Sequence, residues 1–123
     1  LCDVISHLTT RRYIAMFDEA SYHFLLEVFG WSGADAAGGL GFADVRHELD
    51  YQAEVGAGDL LAISGRLEAV GNKSVTIVYD MDNLTRGERA ATLKCVAVCF
   101  DTKARRAIPL PDDWRARAAA REP

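Results

Sequence analysis

The sequence predicts an α+β fold in which an antiparallel β-sheet curls around one long central helix. The segment from Asp3 to Gly30 ends in a long run with helical periodicity, and the runs that follow alternate apolar and polar residues between short turns. Only that first helix has enough apolar surface to cover the inner face of such a sheet.

The helix is preceded by a short polar loop holding Asp3, Ser6, His7, Thr9 and Thr10. Ile14, Phe17, Ser21, Phe24, Leu25 and Val28 fall at helical spacing, with Tyr13 and Ala20 widening the stripe. Thr9 or Thr10 is placed to cap the first turn, and Gly30 to end the last one in a left-handed conformation. A carboxylate and an imidazole thus stand near the positive end of a buried helix, a place suited to a reaction that develops negative charge on oxygen.

Trp31 to Phe42 is rich in glycine and alanine. Gly38, Gly39 and Gly41 lack the preceding strand and the following Lys-Ser/Thr of a phosphate cradle, so the stretch reads as a mobile loop. From Ala43 to Val55 the alternation is unbroken, with Ala43, Val45, His47, Leu49 and Tyr51 on the apolar face and Asp44, Arg46, Glu48 and Asp50 on the wet one. His47 reads there as a hydrogen-bonded core histidine without metal partners. After the turn at Gly56–Asp59, a second strand puts Leu61, Ile63, Leu67 and Ala69 inward, and Gly65 on that row marks a bulge or a close backbone approach. Gly71-Asn72 supplies hairpin chemistry before a third strand from Lys73. The last strand, Arg89 to Asp101, contains a nearly continuous apolar run and is expected to be central, covered on both faces. Ala107 to Pro111 is extended, and Asp112 or Asp113 caps a closing helix from Trp114 to Arg121.

The net charge of −4 and pI near 5.3 argue against a general nucleic-acid binder. No apolar run is long enough to span a bilayer, and no signal peptide is evident, although the chain begins at Leu1. Cys2, Cys95 and Cys99 show no metal-ligand spacing and fit a reducing cytoplasm. A sheet this small leaves edges open, which pairing with a second copy closes.

With this order of elements in view, the chain resembles the hotdog-fold acyl-CoA thioesterases, and within them the 4-hydroxybenzoyl-CoA thioesterase-like group. The resemblance rests on D-x-x-S-H-L-T-x-x-x-Y at Asp3 to Tyr13, FDEA at Phe17 to Ala20, GDLL at Gly58 to Leu61, GNKS at Gly71 to Ser74, and RRAIPLP ending at Pro111. It covers nearly the whole chain, so residues 1–123 are expected to be a single hotdog domain, with the family's opening strand truncated.

The resemblance implies an enzyme that hydrolyses an acyl-CoA to free acid and CoA, working as a homodimer or homotetramer. Asp3 matches the family's nucleophile or general base, and His7 the histidine of its usual G-H-[MV]-N motif. Thr9, Tyr13 and Phe17 are expected to bind the substrate. Lys73 and Ser74 match the turn that contacts coenzyme A, and Arg105 or Arg106 the basic position before the final prolines. Ser6 stands for the usual glycine and Thr9 for the usual asparagine. No metal or redox cofactor is implied; coenzyme A enters as part of the substrate. Phe17, Trp31 and Phe42 suit an apolar acyl group. The alternatives are a non-catalytic acyl-CoA-binding or dimerisation module and a hotdog dehydratase or hydratase.

Overall fold

The computed structural model describes residues 10–31 and 33–121. Helix α1 spans Thr10–Phe29, a short α2 spans Gly33–Ala37, and strands β1 (Leu40–Tyr51), β2 (Leu61–Val70), β3 (Ser74–Asn83) and β4 (Glu88–Asp101) follow. A two-residue β5, Arg106–Ala107, precedes α3, Asp112–Arg121. The strands form one antiparallel sheet in the order β1-β4-β3-β2, with β5 extending β4 beyond the end of β3.

The helical stripe behaves as its spacing requires. Tyr13, Phe17, Phe24, Leu25, Val28 and Phe29 are buried against the sheet. Each such side chain contributes about 1.5–3 kcal/mol of apolar burial. Gly30 ends the helix at φ 72°, and its N–H donates to the Leu26 carbonyl at 2.9 Å. The face is not covered by α1 alone, because α3 adds Trp114 and Ala118 to the same core. Gly65 is a close approach: a Cβ built there would lie 2.6 Å from the Phe24 ring.

Three expectations need correction. The glycine-rich loop is ordered by backbone hydrogen bonds. Gly38 N–H donates to Ala34 O and Gly39 N–H to Ala36 O, closing α2, and β1 begins at Leu40 rather than Ala43. The alternation of β1 is not continuous either. Its register against β4 shifts between Asp44 and Arg46, leaving Val45 as the extra residue of a bulge and 60% exposed. Phe42 and Asp44 therefore share a face with His47 and Leu49, opposite Cys99, Ala97, Cys95 and Leu93 in turn. Finally, β4 is central, but only one of its faces is fully buried, with the residues between half-exposed. The outer face carries a polar network in which the buried Asp80 accepts from Arg66 and Thr92 and pairs with Arg89.

Candidate active site

The helix crosses the sheet lengthwise. Near its start, Tyr13 meets the Tyr51 ring edge-on at 5.0 Å, and near its end Phe29 packs on Phe42 at 5.4 Å. Between these points a small cleft opens under α1, walled by Phe17, Asp18 and Ser21 of the helix and by Asp44, His47 and Cys95 of the sheet. Tyr79, on β3, closes the floor with its ring 6.5 Å from Phe17.

Burial governs the protonation of this cleft. The Cys95 thiol is pushed up to about 12, by desolvation first and then by the Asp44 carboxylate, to which it donates at 3.5 Å. A thiol held that high is no nucleophile near neutral pH. Burial, then the charges of Cys95, Asp44 and Asp18, likewise keep Tyr79 protonated. Tyr13 is raised by burial, then by Tyr51 and Glu54. These phenols are therefore available as donors or neutral walls, not as bases.

Of the residues expected at the site, Asp3, His7 and Thr9 lie outside the described residues. Tyr13 and Phe17 are one helical turn apart on the buried face of α1. Lys73 and Ser74 stand at the β2–β3 hairpin, where Gly71 N–H donates to the Ser74 carbonyl at 2.7 Å. The Lys73 carbonyl accepts from Cys99 N–H, and Arg106 pairs with Asp101 at the end of β4. Lys73, Arg105 and Arg106 are exposed, and Arg105 sits in its turn at φ 56°. The structure thus brings the lysine and both arginines to one end of the sheet. Tyr13 sits at the other end, because its partner Tyr51 lies opposite Ala91. The stretch of β4 from Ala91 to Cys99 measures about 27 Å at ~3.4 Å per residue.

Other matched segments hold the frame. Asp59 accepts from Gly56 N–H at 2.8 Å and from the buried Asn83 amide at 2.9 Å, and pairs with Arg86 at 3.0 Å. Those bonds, the Asn83 amide foremost, hold its carboxyl below the usual carboxylate range. Arg115, which sequence reasoning passed over, donates to the carbonyls of Gly71 and Asn72 and so fixes the hairpin from α3. Phe42 is stacked on Trp114 at 5.2 Å and Trp31 on Tyr22 at 5.9 Å, so both rings are engaged in packing. Asp44 and Cys95 were also missed as cleft residues, since the bulge that turns Asp44 inward leaves no mark in the residue pattern.

The antiparallel sheet with α1 laid along one face, and the cleft between them, define a hotdog-type α+β protein. The chain belongs to the Thioesterase-like superfamily, which it matches over residues 1–118. It is 26% identical over 115 residues to the long-chain acyl-CoA thioesterase FadM of Escherichia coli, spanning 92% of this chain and 85% of that protein. Its fold matches that of a Staphylococcus aureus protein solved in complex with CoA, with a TM-score of 0.88 at 16% identity over 96% of this chain and 74% of the other. A Thermus thermophilus thioesterase solved with coenzyme A and Zn superposes with a TM-score of 0.81 at 23% identity, covering 96% of this chain and 83% of that one. Among the described residues no helix is long and apolar enough to cross a membrane.

Proposed function

We propose that the protein hydrolyses an acyl-CoA thioester to the free acid and CoA. Membership of the thioesterase-like superfamily over nearly the whole chain carries this reading. The start of α1 at Thr10, directly after the segment bearing Asp3 and His7, supports it. The thioester carbonyl would lie over the first turn, where backbone N–H groups near Thr10 to Tyr13 stabilise the developing oxyanion. Asp3 acts in one of two ways. Its carboxylate attacks the carbonyl carbon, expels the thiolate and leaves an anhydride for water to cleave. Alternatively it takes a proton from the water that attacks. His7 orients the loop or the water, and Thr9, Tyr13 and Phe17 bound the acyl group. In this reading α1 is the helix around which the sheet curls, and residues 1–123 form a single domain.

Lys73, Ser74, Arg105 and Arg106 bind the phosphates of coenzyme A in this proposal. They lie far from Tyr13 along one sheet, so a second copy has to bring the two ends together, as a homodimer or a larger homo-oligomer. The free, buried Cys95 and Cys99 suit a reducing cytoplasm. No nucleic acid or membrane partner is proposed.

Asp3→Asn tests the mechanism. Hydrolysis should fall at least about a hundredfold, the scale of a lost general base, while the melting temperature changes little. A folded mutant with near-normal turnover would falsify the role of Asp3. The substitutions at Ser6 and Thr9 favour a second reading, a non-catalytic acyl-CoA-binding or dimerisation module. That module binds CoA esters without releasing thiol. A hotdog dehydratase or hydratase would convert 2-enoyl thioesters with the thioester bond intact.

A further inference from the structure

The bulge in β1 has a chemical result. In a regular strand, residues three apart point to opposite faces. Because Val45 is skipped in the register, Asp44 and His47 point to the same face, where His47 stands directly opposite Cys95 and Asp44 opposite Ala97. A carboxylate, an imidazole and a thiol then converge. His47 Nε2 lies 3.2 Å from Asp44 Oδ2, and Cys95 Sγ lies 3.5 Å from Asp44 Oδ1. One donor atom from each of the three falls within 4.8 Å of the others. Bond lengths of about 2.0–2.3 Å to tetrahedral zinc require its donors to stand roughly 3.3–3.8 Å apart.

The surroundings fit a cation. The space beneath α1 at this point is about 10 Å³ and open to solvent on one side, room for a single water or ion. Asp18 of α1 lines it as a further carboxylate, and the other walls are Ile14, Phe17, Ser21, Tyr79 and Leu93. The neighbouring basic residues face the other way. Arg46 pairs with Glu48 and Lys94 with Glu68 across the opposite face of the strands. Two carboxylates and a thiol thus share a partly apolar corner with one imidazole.

We propose that Asp44, His47 and Cys95 form a zinc-binding site that ties the edge strand β1 to β4 at its bulge. The sulfur and imidazole donors select zinc over magnesium or calcium, which take oxygen ligands. Three protein ligands leave a fourth position facing Asp18 and the cleft. On binding, the Cys95 thiol gives its proton to solvent as the metal–sulfur bond forms. The site is independent of the hydrolytic reading, since none of its ligands is assigned a part in that reaction.

The test uses the whole purified chain, stripped with a chelator and titrated with Co²⁺ and with Zn²⁺. One equivalent of Co²⁺ should give a thiolate-to-cobalt charge-transfer band and tetrahedral d–d bands, and Zn²⁺ should abolish both. His47→Ala and Asp44→Asn change solvent-accessible side chains, 35% and 44% exposed respectively, and should fold. Each should weaken binding by at least about a hundredfold, the upper end of what losing even an outer-sphere partner costs. Cys95→Ser should remove the charge-transfer band, whereas Cys2→Ser and His23→Ala should leave spectrum and affinity unchanged. A folded parent chain with no charge-transfer band overturns the site. So does a band that survives in Cys95→Ser, or an affinity unchanged in both His47→Ala and Asp44→Asn.

Discussion

Gly65→Ala probes how tightly α1 is seated on the sheet. The added Cβ would stand 2.6 Å from Phe24 Cδ1, 2.9 Å from Cε1 and 3.1 Å from Cγ. Carbon atoms rest at about 3.5–4.0 Å, so the ring has to withdraw by roughly 1 Å. It has little room to do so. Phe24 is buried, and its ring meets Tyr79 edge-on at 5.7 Å, while Tyr79 is itself buried beside Phe17. Overpacking of this kind costs about 1–3 kcal/mol. Replacing a strand glycine by alanine returns about 0.5–1 kcal/mol through the unfolded chain. The net expectation is a loss of about 1–2 kcal/mol, read as a lower urea midpoint with an unchanged m-value. Trimming the ring should relieve the clash, so Gly65→Ala with Phe24→Leu should be more stable than the sum of the single changes by at least about 0.5 kcal/mol. A Gly65→Ala protein as stable as the parent, or strictly additive single changes, would refute the close approach.

Lys73→Ala should raise KM for an acyl-CoA more than it lowers kcat, because a remote phosphate contact is made in ground and transition states alike. Added salt should then weaken the mutant less than the parent, and unchanged KM and salt response would remove Lys73 from the site. Asp59 is held below the usual carboxylate range, so its contribution to stability is present above about pH 4 and is lost as pH falls through its folded value. Melts across an acid series should therefore show a shallower acid decline in Asp59→Asn than in the parent; parallel declines would dismiss the Asp59 lock. With Cys95 pushed up to about 12, a disulfide reagent at pH 8 should label it only on unfolding, and rapid labelling of that peptide in the native protein would contradict its buried, protonated state.

The architecture was legible where a pattern has one reading. The stripe from Tyr13 to Val28 could only be a helix buried on one side, and Gly30 stands in the left-handed conformation its position required. The chain does turn between β2 and β3 here, but Gly71 N–H donates to the Ser74 carbonyl, so Asn72-Lys73 form the tip, and neither Gly71 nor Asn72 takes the positive φ of a glycine hairpin dipeptide. Gly65 resolves the choice its position left open in favour of close approach, the bulge of β2 lying further on, between Leu67 and Ala69. The β1 bulge was not legible, because apolar and polar residues alternate formally straight through Val45. Only pairing with β4 reveals that one residue is skipped. The apolar run of β4 was misleading for a related reason. Its residues are of similar hydrophobicity on both sides, and the carboxylate at the centre of the polar network on its outer face, Asp80, comes from β3, with Arg66 from β2 and Arg89 from the start of β4 itself. The Asp44–Cys95 contact joins residues 51 positions apart, a separation no spacing motif spans. Asp3, His7 and Thr9, marked by the polar loop before the helix and given roles by family resemblance, lie outside the described residues, whereas Lys73 and Arg106 are seen to share one end of the sheet.

The central claim is thioester hydrolysis, and thiol release tests it most directly. The purified chain would be offered a panel of acyl-CoAs, from short and long saturated chains to aromatic acyl groups, with free CoA followed by a thiol reagent. The account predicts saturable release from at least one of them, proportional to enzyme and diminished at least about a hundredfold in Asp3→Asn. Release of no thiol from any member of the panel by the folded protein, with CoA esters still bound, would contradict it and leave the non-catalytic module.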